Sequence, residues 1–307
     1  MQSCRWSILL PGSPNYSGRG NDVELTPAEF SDVRKAVHEL CGLAIAEDKQ
    51  YLVKSRLEPL LKGNGLSSYA ALVQRMLQPD SLLLKDQVVE AITTNETSFN
   101  RDGHPFEELR RRILPDVANR LLERRKTGLL VSQPARIWCA AVATGQEAYS
   151  VDMAVADFLR NRPARDLTAK EFPILASDIS GQALAIAQAG RYSSAEVDRG
   201  VTTEQRARHF RQENSSWHID PAIRQTIEFR RLNLVRGFPD VGVYDLILCR
   251  NLLIYFDQPT RERLCRALCA ALNPQGILII GAAESLFGVT DELTLETLGK
   301  TVVYRKR

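Results

Sequence analysis

The apolar positions of this chain recur with two different periods, and the period changes near residue 130. Up to that point they fall at helical spacing. Thr26-Pro27-Ala28-Glu29 opens a first helix, with Thr26 as cap, Pro27 in the first turn and Glu29 completing a capping box. Phe30, Val33, Val37 and Leu40 form its buried stripe, and Gly42 stops it. A second helix is expected from about Asp48 to Lys62, with Leu52, Val53, Leu57, Leu60 and Leu61 on one side and Lys49, Lys54, Arg56 and Lys62 on the other. Two shorter helices follow around Ser68–Leu77 and Ser81–Ile92. A polar segment, Thr93–Asp102, then leads into a long helix from Pro105 to about Lys126, ended by Gly128. Residues 25–92 therefore read as an all-helical domain, preceded by a flexible tail over 1–24 and followed by a linker and long helix over 93–134.

From residue 135 onward, short apolar runs alternate with helical patterns. Strands are expected at Ile137–Ala141, Phe172–Ser177, Ile227–Leu232, Tyr244–Cys249, Gly276–Gly281 and Thr301–Arg305. Helices are expected at about Gln146–Arg160, Gly181–Ala189 and Pro259–Leu272. Strands alternating with helices mean a mostly parallel sheet covered on both faces, a doubly wound α/β domain over 135–307. The stretch at about 191–226 breaks the alternation and reads as an inserted helix plus a small β element.

Composition narrows the picture without deciding it. A net charge of +3 over 307 residues is too small to argue for nucleic acid, so any basic function must be local. No apolar run reaches the length of about 20 residues that a spanning helix needs, and no signal peptide is read at the start. The six cysteines are Cys4, Cys41, Cys139, Cys249, Cys265 and Cys269. None has the partner spacing of a metal site, and free thiols suit a reducing cytoplasm.

In a doubly wound sheet the ligand lies across the carboxyl ends of the strands. The first strand ends in Thr144, Gly145 and Glu147, a turn that lets a ligand approach the main chain. The second ends in Asp178, suited to ribose hydroxyls or, with Ser180, to capping the next helix. The third gives Asn233 and Leu234, suited to an adenine edge or to a turn. The fourth runs Cys249-Arg250-Asn251-Leu252-Leu253-Ile254-Tyr255-Phe256, where Arg250 and Asn251 interrupt an apolar run and must be paired or hold a ligand. Neither G-x-x-x-x-G-K-[ST] nor G-x-S-x-G occurs, which disfavours nucleotide hydrolysis and serine-hydrolase chemistry. An adenosine ligand without a pyrophosphate clamp points to S-adenosylmethionine (SAM) rather than NAD.

Six motifs then carry a resemblance. TTNETSFNRD (Thr93–Asp102), RIWCAAVATGQEAYS (Arg136–Ser150), ILASDISGQALAIAQAGRY (Ile174–Tyr192), EFRRLNL (Glu228–Leu234), YDLILCRNLLIYFD (Tyr244–Asp257) and GAAES (Gly281–Ser285) stand in the order found in chemotaxis receptor methyltransferases of the CheR type. The chain resembles that family over about residues 25–307. The resemblance implies a seven-stranded class I SAM-methyltransferase (Rossmann-like) fold, with SAM as cofactor, S-adenosylhomocysteine as product and methyl transfer to glutamate carboxylates of bacterial chemoreceptors. It implies cofactor contacts from Asn95, Thr97, Arg101, Gly145, Glu147, Asp178, Asn233, Leu234, Asn251 and Leu252. Arg101 and Tyr255 are implied beside the transferred methyl and the incoming carboxylate. The expected partner is the receptor's cytoplasmic helical bundle, docked on the basic N-terminal helices by a monomeric, cytoplasmic enzyme with no metal, nucleic acid or membrane insertion.

Three positions depart from the family pattern. Gln146 and Ala148 stand where a second acid and a proline are common, and Asn100 stands where an aromatic usually precedes the arginine. The inserted element reads FRQENSSWHID (Phe210–Asp220), without the glycine-rich loop that grips a receptor's C-terminal pentapeptide in some members, so no pentapeptide tether is expected. Two alternatives stay open at this point: methylation of another substrate, and a non-catalytic SAM-binding adaptor.

Overall fold

The structure is a computed structural model that describes residues 23–127, 133–286 and 288–307. The expected tail over 1–24 and the helix stop at Gly128 lie largely outside the described residues, as does Cys4. Helix α1 (Pro27–Cys41) carries the expected capping box: Glu29 N donates to Thr26 Oγ1 at 3.3 Å, and Thr26 N donates to the Glu29 carboxylate at 3.1 Å. A 3₁₀ turn (Glu47–Lys49) leads into α2 (Gln50–Gly63), followed by α3 (Tyr69–Met76) and α4 (Leu82–Ile92). Val33, Val37, Val53, Leu57, Leu61, Leu72 and Val88 meet in one core at helical spacing, which makes residues 25–92 a separate bundle.

The helix expected from Pro105 is continuous but not uniform. It begins as α5 (His104–Glu108), widens into a π turn (Leu109–Ile113) and continues as α6 (Leu114–Thr127). Pro115 supplies the reason: its ring would crowd the carbonyl four residues back, and a π turn relieves that crowding.

The α/β domain comprises β1 (Ile137–Ala140), α7 (Gln146–Asn161), β2 (Ile174–Asp178) and α8 (Gly181–Ala189), then the insertion, then β6 to β10. The insertion holds β3 (Arg191–Ser193), α9 (Ser194–Asp198), α10 (Thr203–His209), β4 (Phe210–Glu213), β5 (Ser216–Ile219) and α11 (Pro221–Arg224). Its three strands form a small antiparallel sheet in the order β3-β5-β4. The chain then gives β6 (Ile227–Arg231), β7 (Tyr244–Cys249), α12 (Gln258–Ala270), β8 (Leu272–Ile280), β9 (Leu293–Leu298) and β10 (Thr301–Lys306). The main sheet has seven strands in the order β6-β2-β1-β7-β8-β10-β9, with β10 running antiparallel to both β8 and β9. Strand β9 was not among the sequence-expected strands, for it is an edge strand with Leu295 exposed.

Side chains of β1 divide between two cores. Ile137 and Cys139 face the one that α6 and α7 cover, while Trp138 and Ala140 face the one that α12 covers. Burial on both faces explains why the strand reads as an unbroken apolar run. The helical bundle is clamped to the sheet's carboxyl edge. Arg231 pairs with Asp86 through its Nη1 and Nη2 at 2.8 and 2.7 Å, and His38 meets Asp257 at 3.1 Å. Leu43 also bridges Phe256, and Asn233 Nδ2 donates to the Leu40 carbonyl at 2.9 Å. No described helix is long and apolar enough to cross a membrane.

Candidate active site

One cleft opens where β1, β2, β6 and β7 end, and segment 93–101 folds over it. Asn95, Thr97, Arg101, Glu147, Asp178, Asn233, Leu234, Asn251, Leu252 and Tyr255 all line it. Of the sequence-expected ligands, Gly145 alone does not. Its φ of +94° shapes the turn that starts α7, and its open side faces α8, where a Cβ would stand 2.6 Å from that of Ala187. Gly145 therefore serves helix packing. The wall that sequence analysis gave to a glycine turn is built by Ala141 and Ala143, both with positive φ, of 68° and 49°.

Asp178 ends β2 with its carboxylate accepting from Ala143 N at 2.8 Å and from Ser180 N at 2.9 Å. It does not cap α8; Ser180 does, accepting from Ala183 N at 2.9 Å. Burial raises the Asp178 pKa even against those backbone bonds. An ion or hydroxyl donor in the cleft would offset that cost. Glu147, in the first turn of α7, is likewise raised mainly by burial, with Arg250 and Arg101 pulling the other way.

Arg250 is the residue that sequence analysis noticed but gave no role. Its side chain is 1% exposed; Nη1 donates to Glu147 at 2.9 Å, and Nη2 donates to Asp102 at 2.7 Å and to the Arg101 carbonyl at 2.9 Å. The guanidinium also lies 5.4 Å from the centre of the Phe106 ring. A strand end, a helix start and the covering segment thus converge on one buried charge.

Glu284, within the GAAES motif, holds the neighbouring turn. It accepts from Gly281 N at 2.6 Å, Asn251 N at 3.0 Å and Ile254 N at 3.3 Å. Asn251 can sit at φ +56° because asparagine tolerates the left-handed region. The turn presents Asn251 and Leu252 to the cleft and leads into the 3₁₀ turn Leu253–Tyr255. Burial raises the Tyr255 pKa, against the nearby positive charges of Arg101 and Arg56.

The helical bundle supplies a wall as well. Cys41, Leu43 and Ile92 line the cleft. Arg56, expected on a solvent-facing basic side, instead donates to the carbonyls of Ile92 and Thr93 at 2.6 and 3.1 Å and to Thr94 Oγ1 at 3.1 Å. It fixes the start of the covering segment.

Two buried carboxylates, one at the end of β2 and one in the first turn of α7, apolar walls from Ile92, Ile179, Leu234 and Val235, and a sequence without a phosphate-clamping motif suit an adenosyl group with a cationic tail. With a parallel sheet whose last strand is inserted antiparallel, they define a SAM-dependent methyltransferase domain. Residues 95–302 match the family model described as "CheR methyltransferase, SAM binding domain", and residues 28–93 match "CheR methyltransferase, all-alpha domain". The chain belongs to the CheR methyltransferase family. It is 35% identical over 280 residues to "Chemotaxis protein methyltransferase Cher2" of Pseudomonas putida, covering 91% of this chain and 98% of that one. It is 36% identical over 281 residues to "Chemotaxis protein methyltransferase 1" of Pseudomonas aeruginosa, with the same shares covered. It is also 32% identical over 284 residues to "Chemotaxis protein methyltransferase" of Vibrio anguillarum, covering 92% of this chain and 98% of that one.

Proposed function

We propose that the protein methylates glutamate carboxylates on the cytoplasmic helices of chemoreceptors, and so works in the cytoplasm. The observation that carries this reading is that Arg101 and Tyr255 share one cleft with Glu147 and Asp178. The two carboxylates suit the amino group and ribose of the cofactor, respectively. Asn233 and Leu234 flank the place for the adenine. Asn95 and Thr97 cover it from the linker, and Asn251 and Leu252 close it from β7.

SAM supplies an electrophilic methyl group when bound. A glutamate substrate is already ionised near neutral pH, so no general base is needed. The chain's task is then positioning. Arg101 suits a carboxylate through charged hydrogen bonds, with the Tyr255 phenol beside it. Arg101 donates to the Glu96 carbonyl at 3.1 Å, which tethers its guanidinium to the covering segment.

The docking surface we favour is formed by α2 and the 3₁₀ turn before it, through Lys62 and Lys49 in particular. Their side chains are roughly half exposed, 43% and 54%, and each also pairs with an acid on the same helical stretch. Attraction to an acidic receptor bundle should weaken as salt rises. The β4–β5 hairpin turns through Asn214 and Ser215, with Asn214 at φ +55°, and offers no glycine-rich loop to a C-terminal peptide.

The test is transfer of a radiolabelled methyl group to receptor cytoplasmic fragments. The label should be released as methanol in base, as a carboxyl methyl ester requires. Base-stable label, or none on any receptor fragment, would overturn the reading.

A further inference from the structure

Segment 93–102 is held over the cleft from a direction that the cleft itself does not reveal. Phe99 is buried between Tyr192 and Phe210 of the inserted subdomain, with ring centres 4.9 and 5.4 Å away. Asn100 follows at φ +47°. Its Nδ2 donates to the Gly200 carbonyl at 2.8 Å and to Gln205 Oε1 at 2.9 Å, and its backbone N donates to Ser150 Oγ at 2.9 Å. Its Oδ1 is buried with no partner, and a flipped amide would set that oxygen against the Gly200 carbonyl. The side chain is therefore held by its two donated bonds.

The subdomain side is built to receive it. Gln205 is buried, completes the capping box in the first turn of α10 and accepts from Thr202 N at 3.3 Å as well as from Asn100. At Gly200 an added Cβ would stand 1.9 Å from the Phe99 carbonyl oxygen, so the two backbones touch. A second bridge lies alongside. Gln146 accepts from Thr144 Oγ1 at 2.8 Å and donates to Glu196 of α9 at 3.4 Å. A carboxylate at 146 would face Glu196 instead.

We infer that Asn100 is a positioning residue for methyl transfer, through which the inserted subdomain, by way of Gly200 and Gln205, sets where Arg101 sits in the cleft. The next residue along the chain is Arg101, whose carbonyl accepts from Arg250 and whose side chain lines the cleft. A bend fixed at Asn100 thus fixes the start of the Arg101 side chain. Asparagine meets both demands, since it tolerates the left-handed backbone and carries the two donors. The insertion then serves the reaction from outside the cavity. This rests on the proposed activity, so the test has a readout that does not require turnover.

The experiment compares Asn100→Gly, which keeps the backbone freedom and removes both donors, with Gln205→Leu and the double variant. The full-length protein is used throughout. Asn100→Gly should lower kcat on receptor fragments about ten- to hundredfold, with a much smaller change in S-adenosylhomocysteine affinity. Without any cofactor it should also speed hydrogen exchange in segment 93–102. The double variant should be no worse than Asn100→Gly alone, because both substitutions break one contact. A kcat within about twofold of the parent, additive single effects, or unchanged exchange in that segment would each overturn the inference. An inactive parent with the expected exchange pattern would overturn the proposed activity and leave the positioning contact standing. Should Asn100→Gly fail to fold, Gln205→Leu measured alone carries the same exchange and kcat criteria.

Discussion

Arg250 and Glu147 meet at 2.9 Å inside the protein, with 1% and 10% of their side chains exposed. Removing one partner of such a pair strands the other's charge away from water, which costs about 3–5 kcal/mol. Arg250→Ala should lower thermal stability by that order and abolish methyl transfer. Its pull partly offsets the burial that raises the Glu147 pKa, so losing it should push that carboxyl further up and weaken cofactor binding. Arg250→Lys should remain impaired, because an ammonium lacks the planar fork that reaches Glu147, Asp102 and the Arg101 carbonyl together. Thermal denaturation and calorimetry with S-adenosylhomocysteine read both effects.

The Arg101 side chain lines the cleft and, among the described residues, is tethered by a hydrogen bond to the Glu96 carbonyl. Arg101→Ala should therefore fold normally and lose methyl transfer far more than cofactor affinity, by about a hundredfold in kcat against a few-fold in binding. Equal losses in the two would mean that Arg101 acts mainly as a cofactor ligand, and near-normal turnover would remove it from the reaction.

The bundle contributes walls to the cleft. A chain starting at residue 93 lacks Cys41, Leu43 and Ile92, and leaves the entry segment without Arg56. It should show no measurable S-adenosylhomocysteine binding by calorimetry. The half-exposed Arg231–Asp86 clamp is a different matter. Asp86→Ala should cost about 1 kcal/mol or less, visible as a small shift in denaturant midpoint with cofactor affinity retained.

Asp152 gives the stability a pH dependence. It is buried on α7, receives a hydrogen bond from Thr226 Oγ1 at 2.8 Å, and has its pKa pushed up to about 7 by burial. Between the ordinary carboxylate value and 7 the folded state then holds more protons than the unfolded state. The stability from this group is thus present at low pH and is lost as pH rises towards and past 7. Asp152→Asn should remove that slope and stabilise the protein above pH 7 by a few kcal/mol. Urea midpoints measured from pH 5 to 8 on both proteins test it, and parallel curves would rule it out.

Much of the fold was legible because each strand and helix declares itself locally. The α8 bounds, the capping box of α1 and the inserted β element at 191–226 all follow from short-range pattern. The π turn and β9 did not, since one depends on the crowding around Pro115 and the other is a short edge strand with an exposed leucine. The site was legible where a residue type is unusual for its place. Asp178, Asn251 and Tyr255 stood out at strand ends. Arg250 stood out too, but its partners lie 103 and 148 positions away, so the pairing was invisible. Cys41, Leu43 and Ile92 could not be recognised, as an apolar cavity wall has the same chemistry as a core. Asn100 read as a departure from the family pattern. Its hydrogen-bond partners, Gly200 and Gln205, lie 100 and 105 positions away and meet it only in the fold.

The cleft has walls from two bodies that each bury a separate core, the bundle at residues 25–92 and the α/β sheet. It cannot exist until both have formed and met. During refolding, the ability to bind the cofactor should therefore be the last property recovered, after helical signal and after burial of Trp138. Cofactor present from the start acts on that final step, tightening a junction rather than either core. In a mutant that loosens the junction, added ligand would restore what the broken contacts supplied.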